Sequence, residues 1–190
     1  MTDVKHIIDR VVAGDTYAFQ SLIEGHQKLV SHIVFRMVLN QQDREDICQD
    51  VFIKVYQNLS SFQFESKFST WVARIAYNTC INYLKKKKIP LYDTGSFEEK
   101  SIEHYAGAAI TPDDFAEETD IASRLQEEIN QLPPTFRTIL TLYHLDEVSY
   151  AEIGEIMRLP EGTVKSYLFR ARKCLKERLT SKYQQEELWQ

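Results

Sequence analysis

The chain has 190 residues, a formal net charge of -5 and 43% hydrophobic residues, enough to bury a core in one domain or in two small ones. Six glycines and five prolines are too few for a turn-rich β architecture. Cys48, Cys80 and Cys174 are odd in number, far apart and without metal-ligand spacing, which predicts reduced thiols and argues against a disulfide framework or a metal centre.

The N-terminal MTDVKHIIDR has no apolar signal-peptide core. The most apolar stretch, Leu29–Leu39, is interrupted by Ser31, His32 and Arg36 and is too short to span a bilayer. A cytoplasmic protein, not itself a membrane protein, is expected. After Asp15, a suitable N-cap, TYAFQSLIEGHQKLVSHIVFRMV carries apolar residues at three- and four-residue spacings up to Val38, a helical pattern. Asp43 can cap a second long helix ending near Leu59. A third runs from about Ser69 into Lys85–Lys88, cations suited to a helix C-terminus.

Residues 90–120 then lose all periodicity. Their scattered Gly, Pro, Ser and acidic residues, with a possible short helix at 113–118, predict a flexible acidic linker. Helical pattern resumes from about Thr119 to Leu132, and Pro133-Pro134 opens another helix ending near Leu145. Strand signals are nearly absent. The expected class is all-α: two small helical domains, 1–89 and 121–182, joined by the linker and followed by a tail, 183–190.

Charge follows the same division. Residues 1–89 hold 12 Lys and Arg against 9 Asp and Glu, residues 90–132 hold 2 against 11, and residues 133–182 hold 9 against 6. Two basic blocks flank an acidic middle, so the acidic total conceals a nucleic-acid binder.

The last block is the most specific. Ser149 and Glu152 form an S-x-x-E capping box, so a helix starts there and runs to about Met157 before Pro160 breaks it. A second helix starts near Glu161. Val164, Leu168, Ala171, Leu175 and Leu179 make one apolar stripe, while Lys165, Arg172, Lys173 and Lys176 lie on a neighbouring face. A short helix, a tight turn and a longer basic helix make a helix-turn-helix, with Gly154 letting the two helices approach closely.

LPPTFRTILTLYHLDEVSYAEIGEIMRLPEGTVKSYLFRARKCLKERL resembles the C-terminal domain of bacterial RNA polymerase sigma factors of the extracytoplasmic-function (ECF) type. GDTYAFQSLIEGHQKLV, DREDICQDVFIKVYQNLSSF and FSTWVARIAYNTCINYLKKKK resemble successive parts of that family's second conserved region. Residues 5–88 and 130–179 carry the resemblance. It implies an alternative sigma factor that binds core RNA polymerase and directs promoter-specific transcription initiation, with no enzymatic activity and no cofactor.

In DREDICQDVF and the residues after it, Asp43, Asp46, Asp50, Lys54 and Gln57 share one helical face and Cys48, Val51, Phe52 and Val55 the other. The acidic face reads as plain surface, as a cation site through carboxylates at i and i+4, or, by resemblance, as the surface that docks on core polymerase through Asp46, Gln49 and Asp50. Arg74, Asn78, Asn82 and Lys85 share a face on the next helix, suited to base edges and phosphates. The loop before it, Gln63, Phe64, Glu65, Ser66 and Lys67, mixes aromatic and polar groups suited to an unstacked base. The resemblance assigns both to the minus-ten promoter element; Phe68 and Trp71 are expected in the core, and core packing is the alternative for Phe62. In the last helix, Glu161, Gly162 and Thr163 present a helix N-terminus to phosphate. The resemblance places Lys165, Ser166, Phe169 and Arg170 on or beside the bases of the minus-thirty-five element and Arg172 and Lys173 on phosphates. Arg158 stands where the family often has a turn glycine, and Tyr167 where it often has arginine, which puts one phosphate contact in doubt.

Two other readings stay open: a stand-alone helix-turn-helix repressor or activator, and a nucleic-acid enzyme built on Asp43, Asp46 and Asp50. The resemblance also implies an anti-sigma partner. Wedged between residues 1–89 and 133–182, such a partner would cover Asp46, Gln49 and Asp50, provided that the linker lets the domains reorient.

Overall fold

Asp15 starts the longest N-terminal helix as its position before the apolar run predicts: its carboxylate accepts the Ala18 N–H at 3.1 Å. In the computed structural model, which describes residues 4–89 and 120–182, that helix is α2 (Thr16–Met37). It is preceded by α1 (Val4–Val12), which the sequence reading did not foresee, although Val4, Ile7, Ile8 and Val11 have helical spacing and Ile8 and Val11 are buried. Gly14, at φ 100, makes the turn between the two, and Arg10 reaches over it to Asp15 at 2.6 Å.

The cap of α3 (Gln41–Asn58) is Asn40, not Asp43. Asn40 has extended backbone and its side-chain oxygen accepts the Asp43 N–H at 3.2 Å, so Asp43 falls inside the first turn, where an acid still favours the helix dipole. A 3₁₀ turn, Leu59–Ser61, follows, and α4 spans Phe68–Lys86. Among residues 90–120 only Asp120 is described, and it opens α5 (Asp120–Asn130). The rest of the expected linker, the possible helix at 113–118 and the expected tail 183–190 lie outside the described residues. Pro134 begins α6 (Pro134–His144). The capping box at Ser149 and Glu152 is complete and starts α7 (Tyr150–Met157), and α8 runs Glu161–Lys182. The described residues are all-α, and none of their helices is long and apolar enough to cross a membrane.

In the N-terminal half, Val30, Ile33, Val34 and Met37 of α2 pack with Val51 and Val55 of α3 and Val72, Ala76 and Cys80 of α4. In the C-terminal half, Ile139 and Leu142 of α6, Ile153 and Ile156 of α7 and Val164, Leu168 and Ala171 of α8 form the centre. Each fully buried Val, Leu or Ile contributes about 1.5–3 kcal/mol before entropy is counted. The apolar cluster is continuous across the halves, because α6 packs on α2 and α7 on α4. Tyr77 of α4 bonds Thr135 of α6 across this seam, and both are buried. At the far end Glu128 of α5, 2% exposed, accepts from Arg178 at 2.9 Å and Lys182 at 2.8 Å of α8. Those paired cations satisfy an otherwise costly buried carboxylate.

The three cysteines form no disulfide; Cys80 is fully buried, and burial raises all three thiol pKa values, that of Cys80 to about 12. These are poor nucleophiles at neutral pH.

Candidate nucleic-acid interface

The C-terminal helix pair is shaped by its turn. The Arg158 residue ends α7 in the left-handed conformation, φ 56 and ψ 48, and its N–H donates to the Gly154 carbonyl. Leu159 N–H donates to the same carbonyl at 2.9 Å. Pro160 then accepts from Thr163 at 2.9 Å and Val164 at 3.1 Å, launching α8. Thr163 N–H is therefore bonded to Pro160 and is not presented to a phosphate as the sequence reading expected. The closest neighbour of Gly154 is the turn, not α8 itself: a Cβ on Gly154 would lie 2.7 Å from the Leu159 carbonyl oxygen.

Val164, Leu168 and Ala171 are buried, and Leu175 is half-buried, as the stripe predicts. Tyr167 joins them, 6% exposed and edge-on to Phe136, so its place instead of an arginine serves the core and not a phosphate. Lys165, Ser166, Phe169, Arg170, Arg172 and Lys173 face outward, and Phe169 is 69% exposed. A solvated phenyl ring between cations adds nothing to the core. Lys165 pairs with Glu161 at 2.6 Å, Lys173 with Glu177 at 3.7 Å, and Ser166 donates to the Gly162 carbonyl at 2.9 Å. Arg172 lies over the Tyr143 ring, 5.1 Å from its centroid, and donates to His144 at 3.2 Å, which ties α8 to α6. Burial and the Arg172 charge lower the His144 pKa.

In the N-terminal half, Asp46 and Gln49 are exposed on α3. Asp50 is half-buried and bonded to Lys54 at 2.7 Å, and Lys54 also reaches Thr79 at 3.3 Å. Asp43 leaves this face: it accepts from Tyr83 and lies 3.9 Å from Lys87. Asp43 and Asp50 therefore have separate cationic or hydroxyl partners, and among the described residues no group of three or more His, Cys, Asp or Glu is arranged to hold a metal. Ile53, 55% exposed, and Tyr56, 46% exposed, lie on α3 beyond Gln49 and were missed in the sequence. Their exposure beside a packed helix is the signal, and in the sequence the apolar run Val51-Phe52-Ile53 and Val55-Tyr56 does not show which of its members face out.

On α4, Asn82 and Lys85 are exposed and Arg74 and Asn78 half-buried. Phe68 and Trp71 are buried as expected, and Phe62 is buried with them, ring centroids 5.3–5.6 Å apart. In the loop, Gln63, Glu65 and Lys67 are exposed and Ser66 is half-buried. Phe64 has φ 57, a conformation that strains a bulky side chain, and sits between the Phe62 ring and the Lys5 ammonium. Lys67 is bonded to Glu152 of α7 at 2.8 Å; this bond raises the Lys67 pKa and, with Ser149, lowers that of Glu152.

The described residues thus form helices only, with a basic, outward-facing helix launched from a tight turn in one half and an aromatic loop beside a polar helix face in the other, two surfaces suited to nucleic acid. Residues 22–89 match the Sigma-70 region 2 model and residues 122–175 the Sigma-70 region 4 model. The chain is 34% identical over 180 residues to the ECF RNA polymerase sigma factor SigW of Bacillus subtilis (strain 168), covering 93% of this chain and 96% of that protein. It is 37% identical over 175 residues to the ECF RNA polymerase sigma-E factor of Escherichia coli (strain K12), covering 89% and 90%. In fold it is similar to the sigma factor RpoE in the co-crystal structure with the anti-sigma factor NepR from Bartonella quintana, at a TM-score of 0.67 and 23% identity over 87% of this chain and 98% of that one. The chain belongs to the ECF family of RNA polymerase sigma factors. It is an alternative sigma factor that directs transcription initiation, and the match through both regions disfavours a stand-alone repressor or activator. Sigma factors are initiation factors without enzymatic activity.

Proposed function

We propose that residues 1–89 bind core RNA polymerase and open the minus-ten element, and that residues 121–182 read the minus-thirty-five element in the cytoplasm. In this reading Asp46, Gln49 and Asp50 dock on polymerase, with Ile53 as an apolar anchor on the same helix. Gln63, Phe64, Glu65, Ser66 and Lys67, with Arg74, Asn78, Asn82 and Lys85, hold the opened minus-ten strand. Lys165, Ser166, Phe169 and Arg170 meet bases in the major groove. Glu161, Gly162, Arg172 and Lys173 sit along the phosphates, as does Thr163 through its hydroxyl and not its N–H, which Pro160 already holds. The observation that supports this reading most is the outward face of α8, where Phe169 stands 69% exposed among cations on a helix whose opposite side is core.

The NepR complex of the RpoE relative supports a further part of the reading, that an anti-sigma factor holds this chain away from polymerase. Run-off transcription with purified core polymerase tests the whole: promoter-specific transcripts are expected only when this protein is added. Tight binding to duplex operator without any polymerase-dependent transcript would overturn it.

A further inference from the structure

Three side chains beside the outward face of α8 have no part in the reading above. Tyr143 and His144 end α6, and Tyr150 opens α7. The two tyrosine rings stack, centroids 5.0 Å apart and 7° from parallel, and the Tyr150 hydroxyl donates to the Tyr143 oxygen at 3.3 Å. Both rings are half-buried against the core, whereas His144 is exposed. The imidazole stands edge-on to the Tyr143 ring, centroids 5.0 Å apart.

Arg172 of α8 is seated on this group. Its guanidinium carbon lies 5.1 Å from the Tyr143 centroid, a cation–π contact, and it also donates to the Tyr143 hydroxyl. Its Nε and Nη2 lie 3.2 and 3.1 Å from Nε2 of His144. A guanidinium only donates, so Nε2 must offer its lone pair and the imidazole is neutral, with its proton on Nδ1. Among the described residues no carboxylate pairs with Arg172. Other cations of α8 are held differently: Lys165 pairs with Glu161 at 2.6 Å and Lys173 with Glu177 at 3.7 Å. Lys165 does lie 5.4 Å from the Tyr150 centroid, but Glu161 would hold it without the ring. A cation held by a carboxylate is neutralised and must exchange partners to meet a phosphate. A ring face and a neutral imidazole hold the guanidinium without cancelling its charge.

We propose that Tyr143, His144 and Tyr150 are positioning residues for DNA binding: the stacked rings and the imidazole order the Arg172 side chain before DNA arrives and leave its charge whole for a phosphate. This rests on the reading that α8 meets DNA through its outward face. A long side chain loses rotamer freedom when it closes on a phosphate, and that loss lowers affinity. Here the ordering is completed on folding. Tyr143 and His144 touch the guanidinium, whereas Tyr150 acts through Tyr143, by the stack and the hydroxyl bond.

Two readouts on the full chain test it. In the free, isotope-labelled protein, nuclear magnetic relaxation of the Arg172 Nε–H should match that of the α8 backbone. His144→Ala, at an exposed position, and Tyr143→Leu should each release it to the mobility of a solvated arginine, while Tyr143→Phe, which keeps the ring face, should retain most of the order. The second readout is binding of the holoenzyme to a duplex that the wild-type holoenzyme selects from a random-sequence library. His144→Ala and Tyr143→Leu should each weaken it by about 2- to 10-fold, the range for ordering one long side chain on binding. Neither should weaken it further in an Arg172→Ala background. If the loss persists in that background, the two residues serve the fold alone and the proposal fails. A mobile Arg172 signal in the wild-type chain, beside a damaging Arg172→Ala, overturns the proposal and leaves the reading of α8 intact. An ordered signal beside an Arg172→Ala holoenzyme that binds like wild type removes Arg172 from the phosphates, and the proposal falls with that part of the reading.

Discussion

A side chain at position 154 would collide with the carbonyl oxygen of Leu159, since a Cβ on Gly154 would lie 2.7 Å from it. That oxygen belongs to the backbone of a turn fixed by Pro160, so it cannot rotate away. Gly154→Ala should destabilise the C-terminal half by about 1–3 kcal/mol, the range for overpacking a tight contact. Thermal unfolding followed at 222 nm reads it, and an unchanged midpoint would mean that the turn yields freely.

The opposite change is expected four residues on. Arg158 holds φ 56 without a glycine, and its side chain is exposed. Arg158→Gly should therefore stabilise the chain, by about 1 kcal/mol at most, because the left-handed strain outweighs glycine's extra unfolded entropy. A lower denaturation midpoint would show that the arginine earns its place by a contact.

These two residues also show what could be read in advance. The capping box at Ser149, the break at Pro160 and the α8 stripe are local rules, and local rules survive folding. Gly154 serves helix approach in part, since Val164 of α8 lies 3.9 Å from where its Cβ would be, but its tightest neighbour is a turn carbonyl, which no spacing reveals. Asn40 and Asp43 are both good caps, and only backbone geometry selects Asn40. The removal of Asp43 from the α3 face needs Tyr83, forty residues away. Tyr167 drew attention as a departure in a contact helix, and its burial depends on Phe136 from another helix. The packing of α6 and α7 onto α2 and α4 has no sequence signature at all, because it joins residues far apart in the chain whose apolar stripes fit many partners.

Alkali should loosen the seam. Burial pushes the Tyr77 hydroxyl up to about 12, only partly offset by its bond to Thr135, and burial likewise raises Cys80 to about 12. A pKa raised in the folded state means that the unfolded chain releases its proton first, so the stabilisation is complete below about pH 9 for Cys80 and about pH 10 for Tyr77 and is lost as pH climbs toward 12. Unfolding free energy from urea titrations should fall across that window. Tyr77→Phe, which has no proton to lose, should flatten the fall; a curve identical to wild type would remove Tyr77 as its source.

Core docking should depend on the exposed part of the α3 face. Asp46 and Gln49 have open surroundings, whereas Asp50 is already bonded to Lys54. Asp46→Lys with Gln49→Ala should weaken core polymerase binding at least tenfold while moving the melting midpoint by a few degrees or less, since exposed positions tolerate substitution. Ile53→Asp should do the same. Wild-type co-purification of both variants would move the docking surface elsewhere.

Phe169 offers the sharpest reading of the upstream element. A phenyl ring has no hydrogen bond to give, so on a helix in the major groove it distinguishes bases through the thymine C5-methyl group. Lys165 and Arg170, one turn before and one residue after, would read guanine, each contributing about 1–3 kcal/mol if bidentate, whereas Lys173 would meet phosphate and lower affinity for all sequences alike. Replacing single thymines of the element by deoxyuridine, which lacks only the methyl, should weaken the wild-type holoenzyme at one or two positions. Phe169→Ala should lose affinity for the thymine element and become indifferent to that replacement, so that the two changes together cost no more than either alone. If uridine weakens Phe169→Ala as much as wild type, the ring is not the reader, and recognition of the element falls to the cations.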